Sequence, residues 1–418
     1  MYKGVSVSLF NLVLSFSDAL DLASPELAQH QIRTAYIAME LAKEAGMNKD
    51  DIENLVVAAL VHDIGALTPE EKINLHQADT VETEAHCVLG EHLLQNVPVF
   101  IPAAKIVRLH HHKWLDWALS VDMPLTAQAQ ILSLADIVER SINRSKYILH
   151  QINTIINMVT PLADKEIQSG LIDNLKDLSK REDFWLTIVS PRLYSLLMHE
   201  ASSRGIVLDM ADLRDVSEVF RNLIDFRSRF TATHSAGVST SGALIARYFG
   251  LTLYEIQLME ITGNLHDLGK LIVPNSILEK QDKLTAEEFS VMKQHSYFTY
   301  VVLSTVRGLE EIAESAAFHH EKLDGSGYPF HLTYRKLNML SRILGVADIF
   351  TALLEDRPYR AGMQMTEAMG IIKDMAEKGA LDMKVVNVLE ENLDDIADET
   401  KRRQAYVREY YEKVFRPA

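Results

Sequence analysis

The sequence contains one cysteine, Cys87, so no internal disulfide can staple the fold, and a reducing compartment is expected. Glycine and proline are few, 18 and 11 in 418 residues, which leaves long stretches without a chain breaker. Positive charge is also scarce: 42 Lys and Arg face 58 Asp and Glu, for a net charge of −16. A nucleic-acid polymer is normally bound through a basic surface, so no such partner is expected. No run reaches the roughly 18 apolar residues that a membrane span needs, and no membrane partner is expected. The most apolar N-terminal stretch, Val5 to Leu20, is broken by Ser6, Ser8, Asn11, Ser15, Ser17 and Asp18. It lacks the smooth core and small-residue cleavage site of a secretory signal, so a buried helix in a cytoplasmic protein is expected.

What is present is ordinary globular composition, 47 % apolar and 24 % charged, at a length suited to two or three domains. Apolar residues recur at three- and four-residue steps, as in Leu258, Ile261 and Leu265, or Ile52, Leu55 and Ala59. β-signals are scarce, and an all-α fold is expected.

One unit is written twice. His62-Asp63-Ile64-Gly65 is echoed by His266-Asp267-Leu268-Gly269. A single histidine stands 32 residues before each pair, His30 and His234. His86 and His295 follow, then adjacent pairs 24 residues further on, His110-His111 and His319-His320. Each series closes on Ala-Asp-Ile, at Asp136 and Asp348. The same order in both halves is a repeat signature. Two tandem domains are expected, 1–212 and 213–418.

Neutral imidazoles with hard carboxylates suit Mn²⁺, Fe or Zn²⁺ better than Ca²⁺ or Mg²⁺. No cysteine belongs to the repeated set, so a structural zinc site is not expected.

These residues carry a family resemblance. His266-Asp267 resembles the defining pair of the HD phosphohydrolase superfamily, an all-helical fold. His266-Asp267-Leu268-Gly269-Lys270, the run His319 to Pro329 (His-His-Glu-Lys-Leu-Asp-Gly-Ser-Gly-Tyr-Pro) and Asp356-Arg357-Pro358-Tyr359-Arg360 resemble its HD-GYP branch. The resemblance implies two tandem HD-type domains, the second a phosphodiesterase that opens cyclic di-GMP to linear pGpG and on to GMP. The alternatives are cyclic GMP–AMP as substrate, or a silent cyclic dinucleotide receptor.

It further implies a metal held by His234, His266, Asp267 and Asp348, with Asp267 bridging to a second held by His295, His319 and His320. The ions would be divalent transition metals, Fe or Mn first, with Zn, Ni or Co as alternatives. Lys270 would act with Asp267 in catalysis by contacting the scissile phosphate. Arg357 and Arg360 would clamp the other phosphate, and Gly327 and Tyr328 would line the substrate pocket. For Tyr328 an inward-packed structural turn is an equal alternative. The turn Asp324 to Pro329 uses glycines that permit positive φ. Trimetal members carry a glutamate four residues before the first histidine. Phe230 stands there, so two metals are expected.

The first copy repeats the donors as His30, His62, Asp63, His86, His110, His111 and Asp136, with Glu26 four residues before His30. Ala66 replaces the lysine, and no Gly-Tyr-Pro follows the histidine pair. Three readings stay open: a regulatory or dimerising domain that binds metal without turnover, a nucleotide-binding domain, or a hydrolase of another phosphate ester. A homodimer is compatible with the first. Trp114 and Trp117 suit core packing better than stacking on a base.

Overall fold

The computed structural model describes residues 6–21, 28–77, 84–117, 123–201, 205–227, 231–356 and 361–415. The chain divides into an N-terminal unit, residues 8–207, and a C-terminal unit, residues 208–418 together with 1–7. Among the described residues the only strands, Val7–Ser8 and Val207–Leu208, are two residues long, and the rest of the regular structure is helix.

The stretch around Val5 to Leu20 forms the helix Leu9–Asp21, with Leu12, Val13, Leu14 and Phe16 fully buried. In both units, helices of the same order carry the repeated residues. In the N-terminal unit they are His30–Glu44, Lys49–Leu60, Glu84–Leu94, Ile101–Leu109 and Met123–Arg140. In the C-terminal unit they are His234–Tyr248, Leu253–Leu265, Ala286–Ser304, Glu310–Ala317 and Met339–Leu354.

Local sequence sets where these helices begin. Thr252 accepts from Glu255 N while the Glu255 carboxylate accepts from Thr252 N, a capping box that starts Leu253–Leu265. Thr285 and Glu288 do the same for Ala286–Ser304, and Asn338 caps Met339–Leu354. Leu258, Ile261 and Leu265 lie at 1 % exposure or less. Burial of each contributes about 1.5–3 kcal/mol to holding that helix in the core.

The His-Asp-x-Gly glycines are explained by close approach. A Cβ on Gly269 would sit 1.9 Å from the carbonyl oxygen of His295, and one on Gly65 would sit 2.0 Å from that of His86. In each unit the glycine lets the His-Asp turn press against the helix carrying the next histidine. Thr299 locks the contact in the C-terminal unit: its hydroxyl accepts from Gly269 N at 2.9 Å and donates to His266 O at 3.0 Å.

No described helix is long and apolar enough to cross a membrane.

Candidate metal centre

Helix ends deliver most of the repeated histidines in the C-terminal unit. His234 is the first residue of its helix, His266 follows the last turn of Leu253–Leu265, and His319-His320 lie just beyond Glu310–Ala317. His295 and Asp348 project from helix interiors. All seven converge: His234, His266 and Asp348 form one group of donors, His266, Asp267 and His319 a second, and His295, His319 and His320 a third. Asp267 divides its two oxygens between the groups. Its Oδ2 is 3.2 Å from His266 Nε2, and its Oδ1 is 3.5 Å from His295 Nε2 and 4.0 Å from His319 Nε2. Asp348 does likewise, with Oδ1 3.1 Å from His234 Nε2 and Oδ2 3.7 Å from His320 Nδ1.

The imidazoles are aimed from behind. Nδ1 of His266 donates to Gly263 O at 2.8 Å, that of His295 to Met292 O at 2.6 Å, and that of His319 to Ala316 O at 2.6 Å. Each bond turns the Nε2 lone pair toward the cluster, the arrangement a cation requires. His234 Nδ1 meets Glu355 Oε2 at 2.9 Å, and Gln404 steadies that carboxylate at 2.6 Å. The buried Nε2 of His266 forms no hydrogen bond of acceptable geometry, although Asp267 Oδ2 is near. A buried acceptor without a donor is costly unless something positive meets it. The donor set fits divalent cations.

Electrostatics agree. Burial alone would raise the Asp267 carboxyl, but His266 and Lys270 hold it well below the usual range. Asp348 is treated alike, with His234 and His320 outweighing its burial. Burial, with His320 beside it, keeps His319 neutral far below its ordinary value, and burial takes His295 down to about 3. Neutral imidazoles and ionised carboxylates are the forms that bind metal. His266 is the exception here, because its burial is outweighed by Asp267, which raises it until a cation takes that place.

Lys270 Nζ lies 2.5 Å from Asp267 Oδ2, at the edge of the donor cluster. Gly327 differs from the expectation for its turn. Gly325 has φ +79°, but Gly327 is demanded by space: a Cβ there would lie 2.4 Å from Glu321 Cα. Glu321 fixes the same loop by accepting from Phe330 N at 2.7 Å and Leu332 N at 2.8 Å. The Tyr328 ring is half-buried, 4.8 Å from the His320 ring and 5.9 Å from Phe289, so it packs onto the site's edge. Arg357, Arg360 and Phe230 lie outside the described residues.

The N-terminal unit reproduces the cluster. His30 Nε2 is 3.2 Å from His62 Nε2 and 3.5 Å from Asp136 Oδ1. Asp63 again divides its oxygens, Oδ2 3.5 Å from His62 Nε2 and Oδ1 3.6 Å from His86 Nε2. His62 and His110 donate from Nδ1 to Ala59 O and Val107 O. Burial holds His110 well below its ordinary value and His111 down to about 3. Ala66, at the position of Lys270, is buried, and the guanidinium of Arg140 lies 3.4 Å from Asp136. Trp114 and Trp117 are half-buried in the loop after the histidine pair. Glu26 lies outside the described residues.

Three functional residues escaped sequence reasoning. Glu139 holds His30 Nδ1 at 2.6 Å, whereas Glu355 does this for His234. These acids stand three residues after Asp136, inside its helix, and seven after Asp348, just past the end of its helix, so a search for equal spacing misses them. The third stands outside the repeated set. Cys87 joins His86, His110 and His111 in a group whose donor atoms all lie within 4.8 Å of one another. Without a cation, burial pushes its thiol up to about 12.

Comparison with known proteins follows the same division. Residues 218–385 and residues 27–141 each match a model of the HD domain. The 3'3'-cGAMP-specific phosphodiesterase 1 of Vibrio cholerae is 28 % identical over 93 % of this chain and 92 % of its own length. The cyclic di-GMP phosphodiesterase response regulator RpfG of Xanthomonas campestris is 33 % identical over 55 % of this chain and 64 % of its own. A crystal structure of the V. cholerae cyclic GMP–AMP phosphodiesterase V-cGAP3 shares the fold, with TM-score 0.63 and 20 % identity over 93 % of this chain and 98 % of that one. The chain belongs to the HD phosphohydrolase family, as a tandem HD-domain protein whose C-terminal unit is of the HD-GYP phosphodiesterase branch.

Proposed function

We propose that the C-terminal unit hydrolyses 3'3'-cyclic GMP–AMP to its linear dinucleotide, with His234, His266, Asp267, His295, His319, His320 and Asp348 as metal ligands. The observation that carries this is the division of the Asp267 oxygens between two groups of inward-facing imidazoles. Bound there, a pair of divalent cations supplies Lewis acidity at the phosphate and acidifies a water toward neutral pH. The chain's own residues do the rest. Backbone carbonyls and Glu355 orient the imidazoles, so no reorganisation is needed as charge builds. Lys270 is assigned to the scissile phosphate, exchanging its contact with Asp267 for a phosphate oxygen. Gly327 and Tyr328 bound the pocket, and Arg357 and Arg360 are assigned to the second phosphate. Iron or manganese suits five imidazoles and two carboxylates, with zinc, nickel and cobalt as alternatives.

The sequence reading put cyclic di-GMP first; the comparisons favour its alternative. Relatives resembling this chain over nearly its whole length, at 93 % and 94 %, are 3'3'-cGAMP-specific phosphodiesterases from V. cholerae. Cyclic di-GMP remains the second reading, supported by the 33 % identity of RpfG, against 36 % over a shorter stretch for the 3'3'-cGAMP-specific phosphodiesterase 2 of V. cholerae. Product analysis of the metal-loaded protein against both substrates tests the choice. Faster opening of cyclic GMP–AMP is expected, and faster opening of cyclic di-GMP would reverse the assignment. Binding without product for either would instead favour a silent receptor.

The N-terminal unit is assigned a regulatory role in which it holds a cation without opening the dinucleotide. Ala66 in place of the lysine and the missing Gly-Tyr-Pro support this. The reading includes a cytoplasmic location, no nucleic-acid polymer or membrane as partner, and a homodimer that sedimentation can check.

A further inference from the structure

The second donor position differs between the units at one residue. In the C-terminal unit His295 is followed by Ser296, whose hydroxyl lies 3.1 Å from His295 Nε2. In the N-terminal unit His86 is followed by Cys87, 1 % exposed, whose Sγ lies 3.7 Å from His86 Nε2 and 3.6 Å from the His110 ring at Nδ1. His86 Nε2 and His110 Nε2 are 3.4 Å apart. Zinc–nitrogen bonds near 2.0–2.1 Å and a zinc–sulfur bond near 2.3 Å, set tetrahedrally, place donor nitrogens about 3.4 Å apart and nitrogen and sulfur about 3.6 Å apart. The spacings from His86 Nε2, 3.4 Å to nitrogen and 3.7 Å to sulfur, match that set.

We propose that Cys87 is a thiolate ligand, so that the N-terminal unit holds a tetrahedral zinc-type cation through His86, His110, His111 and Cys87. A bound cation reverses the effect of burial on a neighbouring thiol, and binding sends the thiol proton to solvent. With Asp63 Oδ1 3.6 Å from His86 Nε2 beside these four donors, protein atoms fill the coordination sphere and leave no place for a water or a phosphate oxygen, which makes the site structural. A hydroxyl is a far weaker donor, so Ser296 leaves the matching position in the C-terminal unit open.

The inference rests on the reading that the N-terminal unit holds a cation, and one experiment separates the two. Cys87 is the only cysteine in the chain, so any sulfur-to-metal signal belongs to it. The full-length protein is loaded with Co²⁺, its metal content is measured, and its absorption spectrum is recorded. A near-ultraviolet thiolate-to-cobalt charge-transfer band is expected. It should vanish in Cys87→Ser and in His86→Ala, and persist in His295→Ala. No band with cobalt retained in His234→Ala, His266→Ala, His295→Ala, His319→Ala protein, in which every C-terminal donor group is broken, overturns the thiolate alone. No band and no cobalt in that protein overturns both the thiolate and the N-terminal cation. Because the wild-type spectrum already decides, a Cys87→Ser variant that fails to fold leaves the test intact.

Discussion

Lys270 and Asp21 show what single charges do here. Lys270 stands at the cluster's edge with its ammonium against Asp267. Lys270→Ala is expected to lower kcat by about 10²–10³, the usual cost of losing one donor to a developing charge, while metal content stays unchanged. Loss of metal together with activity would make Lys270 structural. Asp21 is buried and accepts from Gln31 N at 3.0 Å, beside His30. Burial, opposed by Lys72 and the Gln31 amide, raises its carboxyl from 3.8 to about 8. The folded state therefore binds a proton that the unfolded chain releases near pH 4. The stability this contributes is full below pH 3.8 and is lost as pH rises through about 8. At about 1.4 kcal/mol per pKa unit the loss amounts to several kcal/mol. Asp21→Asn should flatten that part of the thermal stability profile between pH 5 and 8, and an unchanged slope would contradict the raised value.

At the level of elements, the two helix sets were legible because a helical repeat leaves a spacing record. His30 to His62 and His234 to His266 span the same number of residues, since the same helix, turn and helix lie between them. The supporting acids left no such record, because Glu139 reaches His30 Nδ1 from inside a helix and Glu355 reaches His234 Nδ1 from just past a helix end. Cys87 was passed over for a related reason. Neighbours on a helix normally point about 100° apart, and only the folded backbone shows the sulfur turned to the ring of His86. The glycine of His-Asp-x-Gly has an energetic meaning that sequence alone hid. Gly269→Ala would drive a methyl into the His295 carbonyl, at an overpacking cost on the order of 3 kcal/mol. For a unit of this size that corresponds to a fall in melting temperature of roughly 6–12 °C. A change below the error of the scan would mean that the turn and helix separate more easily than their contact implies.

Across the whole molecule, duplication followed by divergence gives the units unequal chemistry on similar frames. The C-terminal unit keeps the lysine, the Gly-Tyr-Pro loop and a hydroxyl beside its second donor position. The N-terminal unit carries alanine, a different loop and a thiol. His266→Ala with Asp267→Ala is therefore expected to abolish opening of both cyclic dinucleotides. His62→Ala with Asp63→Ala should leave turnover measurable and change it only through regulation. Turnover lost only in the second variant would move the chemistry to the N-terminal unit. The choice of substrate was not legible, because guanine and adenine differ at ring edges that no spaced motif records.

Anomalous diffraction from crystals of the manganese-loaded protein tests the central claim most directly. Two peaks are expected in the C-terminal unit, one beside each oxygen of Asp267, enclosed by His234, His266 and Asp348 on one side and His295, His319 and His320 on the other. A fully loaded crystal with no peak among these seven side chains would contradict the binuclear site and the hydrolysis assigned to it.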